Sequence, residues 1–410
     1  MATRLDEPDR PGGFAALWTA TSAANLADGI VMTGLPLVVL ASGGTPGDVA
    51  AVTVAITIAW PVFGIFAGAI VDRWPPEFVA LLASVVRVAV FTALAVLLAG
   101  DRFRIEWMIV AAALYGVTET LVDTSLVALV PRSVPRAGLT RANARIEGAI
   151  TVTNLLVGPP LAGALIVIGS AAVVLPAAAL AGLTAVALLI AHRRLGARPF
   201  VAPVRSSRFA QLAAGVASVF RDRRQRILTL LTASMNFIWG AWAAIFVVYA
   251  VSPGPLGLSS VAYGILLTGM AAGGILAALF TVRLRRRLGT AWALMLDPFG
   301  TLLLVAPAAF GAPLWLVATG VIIAGVGSSV WRIVVASIRQ EITPPDLLGR
   351  VYSAARVISL GTYPLGAALA GALATFAGVG TAFAAATAIA GTVLVTTAVV
   401  LPRAGLPRDV

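Results

Sequence analysis

VPRSVPRAGLTRAN, Val130–Asn143, returns in the second half of the chain as RQEITPPDLLGRVY, Arg339–Tyr352. A shift of 209 residues places Pro135 on Pro344, Leu139 on Leu348 and Arg141 on Arg350. Further on, LAGAL occurs at 161–165 and again at 369–373, a shift of 208, so one residue has slipped between the copies. The chain therefore reads as two parallel copies of one unit. Such copies are expected to pack about a common axis.

Outward from these two loops the sequence is apolar. Of 410 residues 60% are hydrophobic and 11% charged, and the mean hydropathy is +0.98. A soluble domain carries about 25% charged residues, so this chain cannot cover itself with polar surface. About 20 apolar residues are needed for a helix to cross the hydrocarbon core. Twelve stretches qualify: 14–40, 50–71, 78–99, 107–130, 142–168, 171–192, 227–251, 260–282, 291–310, 314–337, 351–376 and 381–401. All read as helices, because an open strand leaves its backbone unsatisfied in lipid. The expected fold is an all-α polytopic membrane protein: twelve transmembrane helices in two pseudo-symmetric six-helix bundles, residues 1–192 and 227–410.

Between the bundles lies a basic linker, residues 193–226, and the run His192–Arg226 carries nine arginines. Alone it would pass for a nucleic-acid patch. Its flanks give it another meaning, because its charge belongs to a set of arginines on alternate connections. That set also holds Arg73, Arg132, Arg136, Arg141, Arg283, Arg285, Arg286, Arg287, Arg339 and Arg350, whereas the opposite connections hold Arg102 and Arg104. The positive-inside rule makes the arginine-rich side cytoplasmic, with both termini on it. The expectation is a multi-pass protein of the plasma (inner) membrane, its first span uncleaved, with no nucleic-acid partner. Within the linker, Phe209, Leu212, Ala213, Val216, Val219 and Phe220 recur at helical spacing between arginines. This predicts an amphipathic helix lying on the inner membrane face.

Composition also excludes chemistries. The chain has no cysteine and one histidine, His192, which rules out disulfides and leaves little for a metal or a histidine-based triad. Neither a Walker lysine in its glycine frame nor a G-x-S-x-G nucleophile occurs. Neither ATP-driven transport nor an enzyme is expected; no cofactor or metal is implied, and the energy source would be a proton gradient.

GAIVDRW, Gly68–Trp74, matches the G-x-x-x-D-R signature between the second and third helices of the major facilitator superfamily. GPPLAG, Gly158–Gly163, is similar to the fifth-helix signature G-P-x-x-[AG]-G associated with its antiporters. With Asp28 and the two repeated loops, the chain resembles the drug:proton antiporter branch, which includes macrolide and siderophore exporters. That resemblance implies alternating access, a cavity lined by spans one, four, seven and ten, and an Asp72 that docks on the start of span eleven in one state. A carboxylate is favoured at such a positive helix end. The sequence departs from the pattern at Pro75 and Glu77, where Gly and a basic residue are usual, at Arg145 and Asn154, where the longer antiporter pattern has glycines, and at Thr281, the second-half counterpart of Asp72.

A charge at mid-bilayer costs at least about 2.5–3.5 kcal/mol and is a functional candidate by default. Asp28 lies in span one, with Asn25 a turn away on the same face. Arg87 is mid-span three and reads as a structural counter-ion. Glu119 and Asp123 share a face of span four. Asp297 precedes Pro298 in span nine and reads as a local helix feature, and Arg332 is in span ten. Proton coupling is expected of Asp28, Glu119 and Asp123, with two other readings open: Asp28 holding the backbone or Asn25, and Glu119 neutralising Arg87. The 209-residue shift maps Asp123 onto Arg332, and with Asp72 and Arg73 these form the expected gating charges. Asp123 and Arg332 would pair when the cytoplasmic side closes and part when it opens.

Substrate contacts are expected from Asn25, Asp28, Glu119, Asn154 and the span-seven face Asn236, Trp239, Trp242 and Phe246. That face could stack on a planar substrate or hold a cation, or it could simply be packing. Gly64 with Gly68 and Gly269 with Gly273 have the spacing of close helix contact. Together these readings point to a monomeric secondary transporter, proton-coupled, exporting a small amphipathic compound such as a drug or secondary metabolite. Uptake by symport, lysophospholipid transport and a non-transporting receptor are the alternatives.

Overall fold

The computed structural model describes residues 12–100, 103–195, 208–344 and 347–406. Arg102, the N-terminal stretch and linker residues 196–207 lie outside them. Among the described residues, twelve helices are long and apolar enough to cross a membrane, and together they form a multi-pass helical bundle. The first half comprises α1 (Gly13–Ala41), α2 (Pro46–Thr57), α3 (Ala59–Arg73), α4 (Pro76–Ala99), α5 (Ile105–Ser133), α6 (Leu139–Ile150), α7 (Gly158–Ile168) and α8 (Ser170–Leu195). It is joined by α9 (Arg208–Arg221) to the second half, which comprises α10 (Arg223–Ala250), α11 (Ser260–Leu288), α12 (Thr290–Ala309), α13 (Leu314–Ile342), α14 (Leu348–Ala377) and α15 (Val379–Val400).

Two spans are interrupted, each beside a proline. Span two breaks at Ile58 between α2 and α3, where Pro61 has no N–H to return to Thr57. Span five widens into a π-helical turn, Thr151–Val157, ahead of Pro159 and Pro160, and the Gly158 N–H reaches back five residues to the Thr153 carbonyl. Such turns are uncommon and cluster at functional sites.

The repeat is visible in the joints. In the first half Gly29 of α1 leaves no room for a Cβ against the Asn154 carbonyl and the Gly158 backbone. In the second half Gly240 of α10 meets Tyr363, and Gly366 meets Phe237, in the same way. Asn154 and Tyr363 are 209 residues apart, so the crossing of spans one and five is reproduced by spans seven and eleven. Gly269 and Gly273 bring α11 against Ile322 of α13 as their spacing predicts, whereas Gly64 has only the Thr120 methyl group within 4.0 Å.

The halves meet tightly at the end away from the arginines. Gly163 of α7 abuts the Ser260 backbone of α11, Gly264 of α11 abuts Pro159, and Gly371 of α14 takes the Ala50 methyl group of α2. At the arginine-rich end α5 and α6 have only sparse contact with α11 and α13, the Glu147–Arg332 bridge between α6 and α13 among them. The bundle is more open there.

The linker helix forms as its periodicity predicts, and part of its apolar face is taken up by protein. Leu212, Val216 and Val219 pack on Leu347, Val351, Ala354 and Ala355 at the start of α14, and Gly215 backs onto the Arg350 carbonyl. Ala213 and Phe220 remain exposed. Protein therefore covers the Leu212, Val216 and Val219 part of the apolar side. Glu77, the departure from the family pattern, has its own partners: Arg132 at 2.9 Å and His192 at 3.4 Å, tying the ends of α4, α5 and α8 together.

Candidate functional site

Asp28 lies on the inner face of α1, where its carboxylate meets Arg87 of α4 at 3.1 Å. The Tyr115 hydroxyl of α5 donates to the same oxygen at 2.7 Å. Arg87 also donates from Nε to the Thr118 hydroxyl at 3.3 Å, and its guanidinium lies 5.0 Å from the Tyr115 ring centroid. Three helices are pinned by one buried ion pair. Arg87 is a counter-ion, as its mid-span position predicts, and its partner is Asp28. Asn25 turns to the Thr21 carbonyl at 3.0 Å and accepts from Asn154 at 3.4 Å, so Asp28 does not hold Asn25.

One turn further along α5, Glu119 accepts a hydrogen bond from the Trp60 indole at 2.6 Å. Trp60 in turn lies 5.7 Å from the Tyr363 ring of α14, across the divide between the halves. Arg87 acts on Glu119 only at a distance, which sets aside the reading of Glu119 as its neutralising partner: the shorter Asp28 has taken that place. Asp123, a turn nearer the open end, is exposed. It has no hydrogen bond or ion pair among the described residues, and Glu119, Asp28, Arg87 and Arg356 are within its electrostatic reach.

Arg332 does not meet Asp123 in this open arrangement. It bridges the halves to Glu147 of α6 at 3.4 Å, both side chains being well exposed. Asp72, half-buried, and Arg73, exposed, sit at the end of α3. Arg339, counted among the loop arginines, is a buried α13 residue that donates to Thr229 at 3.2 Å under the Tyr352 ring. Asp297 is 5% exposed, and its Oδ1 has no partner among the described residues.

The span-seven aromatics are core in this state. Trp242 and Phe246 are 6% and 0% exposed and stack at 4.6 Å. Phe246 continues to Tyr263 of α11 at 5.9 Å. They fill the closed end instead of lining the opening. Trp239, half-buried, donates to Thr301 at 3.2 Å, and Asn236 donates to the Ser359 carbonyl at 3.1 Å. Sequence reasoning misses Trp60, Tyr115, Tyr363, Glu147 and Arg356. Arg356 alone carries a usable signal, an arginine two turns inside an apolar span.

The site thus has carboxyls on the first half, reached from one end of a two-fold repeat of six helices. The Major Facilitator Superfamily model matches residues 17–358. This chain belongs to that superfamily and is a membrane transporter, not an enzyme. It is 29% identical over 377 residues, 89% of either chain, to an uncharacterized MFS-type transporter, y4rN, of Sinorhizobium fredii. Among solved structures it resembles the nucleoside transporter NupG, with TM-score 0.75 at 14% identity, covering 96% of this chain and 98% of that one. A POT family transporter in complex with 5-aminolevulinic acid gives 0.76 at 12% identity, over 96% and 97%. A bacterial homologue of the iron transporter ferroportin in an inward-facing state gives 0.65 at 17% identity, over 94% and 98%. At these identities the likeness is one of fold.

Proposed function

We propose that this transporter exports a small amphipathic compound, a drug or secondary metabolite, in exchange for protons, as the drug:proton antiporter branch does. It works as a monomer in the plasma (inner) membrane, with its termini and the open end facing the cytoplasm. The observation that carries the reading is the chain Glu119–Trp60–Tyr363. A carboxyl on the first half holds an indole that rests on the second half. Protonating Glu119 weakens a charge-assisted hydrogen bond at a place where the halves touch. Proton binding and the rocking of the halves are therefore linked without any cofactor. Asp123 relays protons between the open end and Glu119, and Asp28 stays paired with Arg87 as the fulcrum. Proton entry is favoured by about 2.3 kcal/mol per charge per 100 mV of membrane potential, before any pH gradient.

A panel of amphipathic compounds, scored by thermal unfolding of the purified protein at two pH values, tests this reading. Exchange requires a compound that stabilises the protein at the higher pH and loses that effect at the lower one. Ligands whose stabilisation grows on acidification would speak for symport instead.

A further inference from the structure

Near the arginine-rich end the exposed intramembrane side chains of the two halves are mainly of opposite charge. Helix rise places the groups at a common depth. Asp123 is ten residues from the end of α5 and Arg332 ten from the end of α13, about 15 Å each at 1.5 Å per residue. Arg356 and Glu147 are each eight residues from the open ends of α14 and α6, about 12 Å. On the first half the described ionisable groups near this level are the acids Asp123, Glu147 and Glu119, with exposed Arg145 two residues nearer the loop on α6 and Arg87 occupied by Asp28. On the second half they are the exposed Arg332 and Arg356, with Asp297 of α12 buried behind them. One opposed couple, Glu147 with Arg332, is joined at 3.4 Å. The other, Asp123 with Arg356, is not: both side chains are exposed, each lies within electrostatic reach of the other, and neither has an ion pair among the described residues.

An exposed acid and an exposed guanidinium on opposite halves, at similar depth and within electrostatic reach but not joined, fit a ligand that carries both signs. We infer that the substrate is amphoteric, with its ammonium group on Asp123 beneath Glu119 and its carboxylate on Arg356, its apolar body lying along Trp60 and Tyr363. This deepens the export reading and rests on it for the direction of movement. Arg356 is then a specificity residue supplied by the second half. A ligand spanning the couple draws the two walls together as the open end closes, whereas a ligand of one sign leaves either the acid or the arginine unpaired in the closing cavity. Leaving a buried polar group unpaired is the most discriminating way a site rejects an analogue.

The test uses matched probes on the purified full-length chain. Norfloxacin, 8-aminooctanoic acid and 4-(aminomethyl)benzoic acid each carry an amine and a carboxylate; each is compared with its methyl ester and its N-acetyl derivative by thermal unfolding at neutral pH. At least one parent compound should stabilise the protein, and masking either charge should weaken binding tenfold or more. Arg356→Gln should make the parent and its ester equal, Asp123→Asn should make the parent and its N-acetyl derivative equal, and Arg356→Lys should restore most of the preference. The inference is overturned if esters or N-acetyl compounds bind as well as their parents, if Arg356→Gln leaves the preference intact, or if no parent compound binds. Ester-selective binding with proton-driven flux in liposomes would remove the amphoteric substrate and keep the exporter. Parent-selective binding without flux would do the reverse.

Discussion

The carboxylate of Asp28 and the guanidinium of Arg87 meet at 3.1 Å inside the first half, their side chains 4% and 2% exposed. This pair sets the frame for the site. It takes the mid-span arginine Arg87 out of play, and it leaves Glu119 and Asp123 as acids with no arginine directly upon them among the described residues.

Breaking the pair from one side strands a charge. Asp28→Ala should lower stability by about 3–5 kcal/mol, read as a large drop in the thermal midpoint, and Arg87→Met should do the same. The double replacement Asp28→Leu with Arg87→Met should be more stable than either single variant, since buried pairs are often replaceable by apolar packing. A double variant as unstable as the sum of the singles would show that Tyr115 and Thr118, not the pair, hold these helices.

Trp60→Phe tests the connection between the halves. Phenylalanine keeps a ring beside Tyr363 and removes the donor to Glu119, a hydrogen bond to a charged group worth about 1.5–3 kcal/mol. The pH dependence of transport should flatten and turnover should fall about tenfold or more, with substrate affinity little changed. An unchanged pH profile would detach Glu119 from the coupling.

The closed end can be locked. The chain has no cysteine of its own, and a Cβ at Gly47 would stand 2.8 Å from the Thr375 hydroxyl. Gly47→Cys with Thr375→Cys should cross-link in oxidant, stop transport and recover in reductant. Cross-linking with transport unaffected would mean that this end does not need to open.

Arg332 offers a choice between partners. In the open state it sits on exposed Glu147, a contact worth about 0–1 kcal/mol, so Glu147→Gln should barely move stability. When the open end is closed with no ligand on Asp123, Arg332 is expected to pass to Asp123. Charge reversal at Asp123 and Arg332 together should recover transport lost in either single reversal. A double variant no better than the worse single would leave Arg332 with Glu147 throughout.

Much of this architecture is legible in the amino-acid sequence. Twelve spans, the repeat and the linker helix follow from apolar run length, arginine placement and period, all of which are local. The pairings are not. Tyr115 and Trp60 look like ordinary span aromatics until the crossing of helices brings them to Asp28 and Glu119. The broken span at Ile58 and the π-helical turn before Pro159 depend on which carbonyls the prolines free. Trp242 and Phe246 share one helix face, as their spacing predicts, but that face packs into the closed end. Arg356 stands two turns inside an apolar span, a signal easily overlooked beside the topological arginines of the loop. Asp123 and Arg332 are equivalent by sequence, yet equivalence under the repeat fixes depth and facing, not contact in a given state.

The most direct test of proton-driven export through Glu119 is a flux measurement in proteoliposomes carrying an acidic lumen and a lumenal pH indicator. A compound that stabilises the purified protein is added outside, and its entry and the lumenal pH are followed together. The expected result is uptake of the compound with matching loss of lumenal protons, abolished in Glu119→Gln although that variant still binds the compound. Uptake that proceeds equally without a proton gradient, or undiminished exchange in Glu119→Gln, would contradict the account.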